Sequence, residues 1–95
     1  MDKEIYCYRF CQTCPAREIE ETIQLAVLAA ECLHGPSRVR LEASYCMDEG
    51  KNACVINATT DVGRDIARFF TGFAIREFGE ESFTVRRGED QENRN

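Results

Sequence analysis

Cys11-Gln12-Thr13-Cys14 places two thiols three positions apart, where a strand-like segment runs into a helix-like one. Thiols at that spacing can share one soft metal ion or close into one disulfide. Pro15 follows, and proline suits a first helical turn because its φ is preset and its missing N–H is not needed there. A helix starting at that point sets Cys14 beside backbone N–H groups, which favour a thiolate. The chain has six cysteines in 95 residues. Its start, MDKEIYCYRF, has no apolar leader core. A cytoplasmic, reducing setting is therefore expected, in which thiols are free, metal-bound or catalytic. Free cysteine is also a common small core residue, and that reading covers at least half of the six.

The elements that must hold this pair can be read from periodicity. Glu4–Phe10 is rich in β-branched and aromatic residues and reads as a strand, with Tyr6, Tyr8 and Phe10 inward and Ile5, Cys7 and Arg9 outward. Pro15–His34 reads as a helix whose apolar stripe is Ile19, Ile23, Ala26, Val27, Ala30 and Leu33. Gly35-Pro36 ends it. Arg38–Met47 alternates, with Val39, Leu41, Ala43, Tyr45 and Met47 on one face, and reads as a second strand. Asp48-Glu49-Gly50-Lys51 then forms a hairpin turn, and Asn52–Thr59 returns as the third strand. Pairing outward from Glu49-Gly50 sets Tyr45 opposite Cys54 and Ala43 opposite Ile56, which keeps the apolar faces together. Thr60-Asp61 offers a helix cap, and Val62, Ile66, Phe69, Phe70 and Phe73 supply a second helical stripe that Gly79 ends. Ser82–Arg87 is a last strand, with Phe83 and Val85 inward. Residues 88–95 are polar, lack periodicity and read as a disordered tail.

Strand, helix, strand, strand, helix, strand predicts a single α+β domain over residues 1–87 with the ferredoxin-like split βαββαβ arrangement. The expected sheet is four-stranded and antiparallel, in order 4-1-3-2, with two helices on one face. Cys11, Cys14, Cys46 and Cys54 then gather toward one sheet edge. Cys32 and the lone His34 fall at the other. Cys54 faces the helix layer, so it is the third candidate ligand beside Cys11 and Cys14. A closed zinc site wants four ligands, whereas a linear Cu(I) site needs only the pair, so a Cu or Zn ion is the cofactor to consider. Arg9, Arg38, Arg40 and Arg86 are expected on the uncovered sheet face. There they form either a solvated charged surface or a docking surface for a protein partner or a second copy.

A net charge of −5 argues against general nucleic-acid binding and against anionic membranes. Apolar residues at 43% with no long apolar run describe an ordinary globular chain with no transmembrane helix. No Ser/His/Asp or Cys/His pairing and no paired carboxylates can be placed together, so enzyme activity has no positive support.

The strand-Cys-x-x-Cys-helix opening resembles that of heavy-metal-associated domains of metallochaperones, which would imply carriage of a soft ion by Cys11 and Cys14. The Gly-Met-Thr lead-in of that family is replaced here by Arg9-Phe10. The same opening is similar to glutaredoxins, which would imply disulfide exchange. Their cis-proline has no counterpart, since Pro15 and Pro36 are the only prolines. Cys7, Cys11 and Cys14 have the spacing of a radical-SAM cluster motif. In an extended strand, though, Cys7 and Cys11 lie about 13 Å apart, and the chain is far shorter than such a barrel. Aromatics on the first strand resemble RNA-recognition motifs, but NACVINAT in the third strand has none. Two functional classes therefore stand: a small binding module that holds a soft metal ion or cycles redox state through Cys11/Cys14, and a metal-free interaction or regulatory domain whose cysteines are core.

Overall fold

A computed structural model describes residues 4–88. Strand β1 (Ile5–Phe10) leads through the Cys11–Cys14 turn into helix α1 (Ala16–His34). A short helix α2 (Pro36–Glu42) precedes β2 (Tyr45–Asp48), and a 3₁₀ turn at Glu49–Lys51 leads into β3 (Ala53–Asn57). Helix α3 (Asp61–Phe78) and a second 3₁₀ turn at Glu80–Ser82 lead to β4 (Phe83–Gly88). The sheet is four-stranded and antiparallel in the order β2-β3-β1-β4, which is the expected order read from its other edge. The expected tail loses Gly88 to β4, and residues 89–95 lie outside the described residues. Among the described residues, no helix is long and apolar enough to cross a membrane.

The segment expected to form the long second strand is mostly helical. Pro36 occupies the first helical position after Gly35, whose φ of 91° lets one residue end α1 and begin α2. Arg38 then grips Glu42 one turn on, through Nε at 3.1 Å and Nη2 at 2.9 Å. Of the supposed inward face, Val39 is buried but Leu41 is 85% exposed, so the alternation does not describe a sheet there. Arg38 and Arg40 therefore sit on α2 and not on the open sheet face. Arg9 and Arg86 do lie in the sheet, exposed on its uncovered side. Leu33, expected in the α1 stripe, is 62% exposed.

The hairpin also differs in register. Tyr45 pairs with Ile56 and Met47 with Cys54, two residues away from the expected pairing. The cause is Asn52, which adopts the left-handed conformation (φ 50°) and lengthens the loop between the strands. Because the slip is even, every side chain keeps its face.

The core lies between the sheet and helices α1 and α3. Ile19, Ile23, Ala26 and Ala30 of α1 meet Ile66, Ala67, Phe70 and Ala74 of α3 over Tyr8, Phe10, Cys54 and Ile56 of the sheet. Tyr8 inserts its ring edge-on to Phe70 at 4.8 Å, and its hydroxyl is hydrogen-bonded with the Thr71 hydroxyl at 2.8 Å. Phe10 stacks on Phe83 at 4.9 Å and meets Phe78 edge-on at 5.4 Å. This aromatic group pins the end of β1 to the start of β4, and so fixes where the Cys11 turn begins. Thr60 caps α3 as expected, its hydroxyl accepting from the Gly63 N–H at 3.0 Å.

Candidate dithiol site

The turn that carries the thiols is held from three sides. Internally, the Cys14 N–H donates to the Cys11 carbonyl at 3.1 Å, closing the turn. From the β4 side, the Ser82 carbonyl accepts from the Cys11 N–H at 2.9 Å. From the hairpin side, the Asn52 carbonyl accepts from the Phe10 N–H at 2.9 Å. The Asn52 amide then donates to the Cys11 and Cys14 carbonyls, at 3.0 and 2.6 Å. Asn52 is buried, so these bonds satisfy carbonyls and an amide that have little access to water.

Sequence reading placed Asn52 at the start of a strand and gave it no role. The available signal was its type: asparagine is one of the few residues that enters the left-handed region readily, and it carries donors to the far side of a turn. Asn52→Gly keeps that backbone conformation but removes both side-chain bonds. It should lower stability by about 1–3 kcal/mol, the penalty for leaving the buried Cys14 carbonyl without its donor. It should also speed amide hydrogen exchange across residues 11–14. Unchanged exchange there would show that Asn52 does not clamp the turn.

Within this frame the two sulfurs lie 3.6 Å apart, and their surroundings differ. Cys11 is exposed and Cys14 is buried. The Thr13 hydroxyl sits 3.1 Å from the Cys11 sulfur. Donation from Thr13, and then from the Cys14 thiol, holds the Cys11 thiol below the usual cysteine range. Burial, followed by the neighbouring Cys11, pushes Cys14 up. The first thiol is thus the easier of the two to ionise, and the second the harder.

Cys54 does not join them. It is buried under the helices opposite Tyr8, and burial pushes its thiol up to about 12. Among the described residues, no three His, Cys, Asp or Glu side chains converge so as to hold a metal ion. Cys7 and Cys46 are exposed on the open sheet face, with Val55 between them in register. Cys32 is exposed near the far end of α1.

His34 stands at the opposite end of a 19-residue helix, roughly 28 Å from the thiols. It joins a polar network that sequence reading did not foresee. His34 Nε2 lies 2.7 Å from Asp65, and its Nδ1 lies 3.5 Å from Arg38, which also reaches Asp61 at 2.8 Å. The network ties α1, α2 and α3 together. Arg38 is the first cause of a lowered Asp61 carboxyl.

Comparison with protein-family models, with curated proteins and with solved structures returns no match.

Proposed function

We propose that Cys11 and Cys14 form a dithiol–disulfide couple, with Cys11 as the attacking thiolate and Cys14 as the resolving thiol. The observation that carries this reading is the asymmetry of the pair: one exposed sulfur lowered by two donors, in contact with one buried sulfur raised by its surroundings. Thiol exchange needs this division, because the attacking group must be charged and reachable while the second must wait. In the reducing direction, the Cys11 thiolate attacks one sulfur of a substrate disulfide. A mixed disulfide forms and the first substrate thiolate leaves. Cys14 then gives its proton to solvent and attacks the Cys11 sulfur. The second substrate thiolate leaves and the Cys11–Cys14 disulfide remains. Two electrons have passed from the dithiol to the substrate.

A second reading has a specific observation of its own. Two sulfurs bound to one tetrahedral ion at about 2.3 Å lie about 3.8 Å apart, close to the 3.6 Å found here. The pair alone supplies half of a closed zinc shell, and no third ligand is at hand among the described residues. A linear two-thiolate ion with bonds of similar length would need the sulfurs about 4.6 Å apart. By spacing, the pair is therefore set less well for a linear Cu(I) ion than for a tetrahedral one.

The test is site-resolved mass spectrometry after equilibration in glutathione buffers. The wild type should show a Cys11–Cys14 disulfide, and Cys14→Ser should instead accumulate glutathione on Cys11. Cys11→Ser should accumulate neither. If the wild-type dithiol stays reduced while zinc or Cu(I) binds stoichiometrically, the metal reading replaces this one.

A further inference from the structure

We infer that the uncovered face of the sheet is a self-complementary surface on which a second copy of this chain docks about a twofold axis lying over β3. The argument starts from register. Across the open face, one row runs Cys46, Val55, Cys7 and Arg86, and the next runs Asp48, Ala53, Arg9 and Thr84. In each row the β3 residue is small and apolar, and it is flanked by side chains from β2 and β1. Val55 is 36% exposed and Cys7, Cys46, Arg9 and Asp48 are all exposed, so nothing among the described residues covers this surface.

The charges in the second row are placed symmetrically about β3. Asp48 lies one strand to one side of Ala53, and Arg9 lies one strand to the other. Strands are about 4.8 Å apart. A twofold axis along β3 keeps each row in place and exchanges its two sides. It brings Asp48 over Arg9 of the second copy and, by the same operation, Arg9 over its Asp48. Val55 and Ala53 meet their own counterparts on the axis, and Cys46 lies over Cys7. An isologous interface requires this self-matching, in which each contact occurs twice. The roughly 30° rotation between aligned sheets is within the reach of an arginine side chain. Neither residue has an ion pair within its own chain among the described residues.

The area sets the expected strength. With the axis over β3, strands β2, β3 and β1 overlap across a face of about 15 by 20 Å, which is small for a specific interface. The dimer is therefore weak and depends on protein concentration. The inference does not rest on the dithiol reading, because Cys11 and Cys14 lie outside both rows.

Sedimentation velocity over the micromolar range tests it with the full chain and two charge reversals. The wild type should pass from monomer to dimer as concentration rises. Asp48→Lys alone and Arg9→Asp alone should each raise the dimer Kd by roughly tenfold or more, since each sets like charges face to face twice. An equimolar mixture of the two variants should recover the dimer, because in the mixed pair both contacts are again between opposite charges. That recovery also shows that both variants are folded. Val55→Asp, which puts two carboxylates on the axis, should be monomeric. A monomeric wild type throughout the range overturns the inference. So does a dimer indifferent to both reversals, or a loss that mixing does not restore.

Discussion

Brief exposure of the reduced protein to iodoacetamide at neutral pH is expected to modify Cys11 ahead of the other cysteines. Two features act in the same direction. The sulfur is exposed, and the Thr13 and Cys14 donors stabilise its thiolate. The sign follows from the direction of the shift. A thiol held below its ordinary value of about 8.5 reaches half its maximal alkylation rate at a lower pH than a free cysteine does. Cys14 should lag by at least about tenfold, because burial both hides it and disfavours its thiolate. Substitutions at Thr13 separate the causes. Thr13→Val removes the hydroxyl that is the largest contributor and should move the Cys11 midpoint upward, whereas Thr13→Ser should leave it in place. Peptide mapping of labelled protein across a pH series gives each midpoint directly. Equal labelling of Cys11, Cys7 and Cys46 would remove the chemical basis for an attacking thiolate.

The second large effect concerns two glycines of α3 with opposite expected signs. Alanine is the better helix former by roughly 0.5–1 kcal/mol, so either replacement would ordinarily stabilise. At Gly72 a methyl group meets nothing within 4 Å, and Gly72→Ala should raise stability by about that amount. At Gly63 the methyl group would run into the Asn57 carbonyl oxygen and crowd the Ala58 backbone. Both obstacles are main chain, and the helix start is held there by the Thr60 cap. Gly63→Ala should therefore destabilise by about 2–3 kcal/mol, as overpacking does. For a domain of this size that lowers the melting temperature by on the order of 10–20 °C. Calorimetry on both variants checks the pair. If Gly63→Ala melted as high as Gly72→Ala, α3 could not start as close to the end of β3 as the structure places it.

Part of the fold and the place of the dithiol were legible in the residues. The long helices were, because Ile19, Ile23, Ala26 and Ala30 repeat at three and four, Val62, Ile66 and Phe70 repeat at four, and each set buries the face so defined. The first strand, the Thr60 cap and the sheet order followed from local pattern and chain connectivity. So did the site's address, since Cys11 and Cys14 had to fall between β1 and α1.

What the sequence left undecided depended on partners distant along the chain. Arg38–Met47 alternates as a strand would. The α2 helix forms there because Pro36 starts it and Arg38 is held by Glu42 and by Asp61 of α3. The two-residue slip in the hairpin was invisible to pattern, since an even slip returns every side chain to its own face. It was set by one left-handed residue, Asn52. That residue lies 41 positions from Cys11 and 38 from Cys14, yet it holds the carbonyls of both. The difference between the two thiols is likewise tertiary. Spacing makes them neighbours, but only the packing around them decides which is buried. The sequence by itself determined that two thiols would meet at the head of α1. The tertiary structure decided which of them is reachable and easier to ionise, because exposure and burial belong to the packed surroundings and not to the motif.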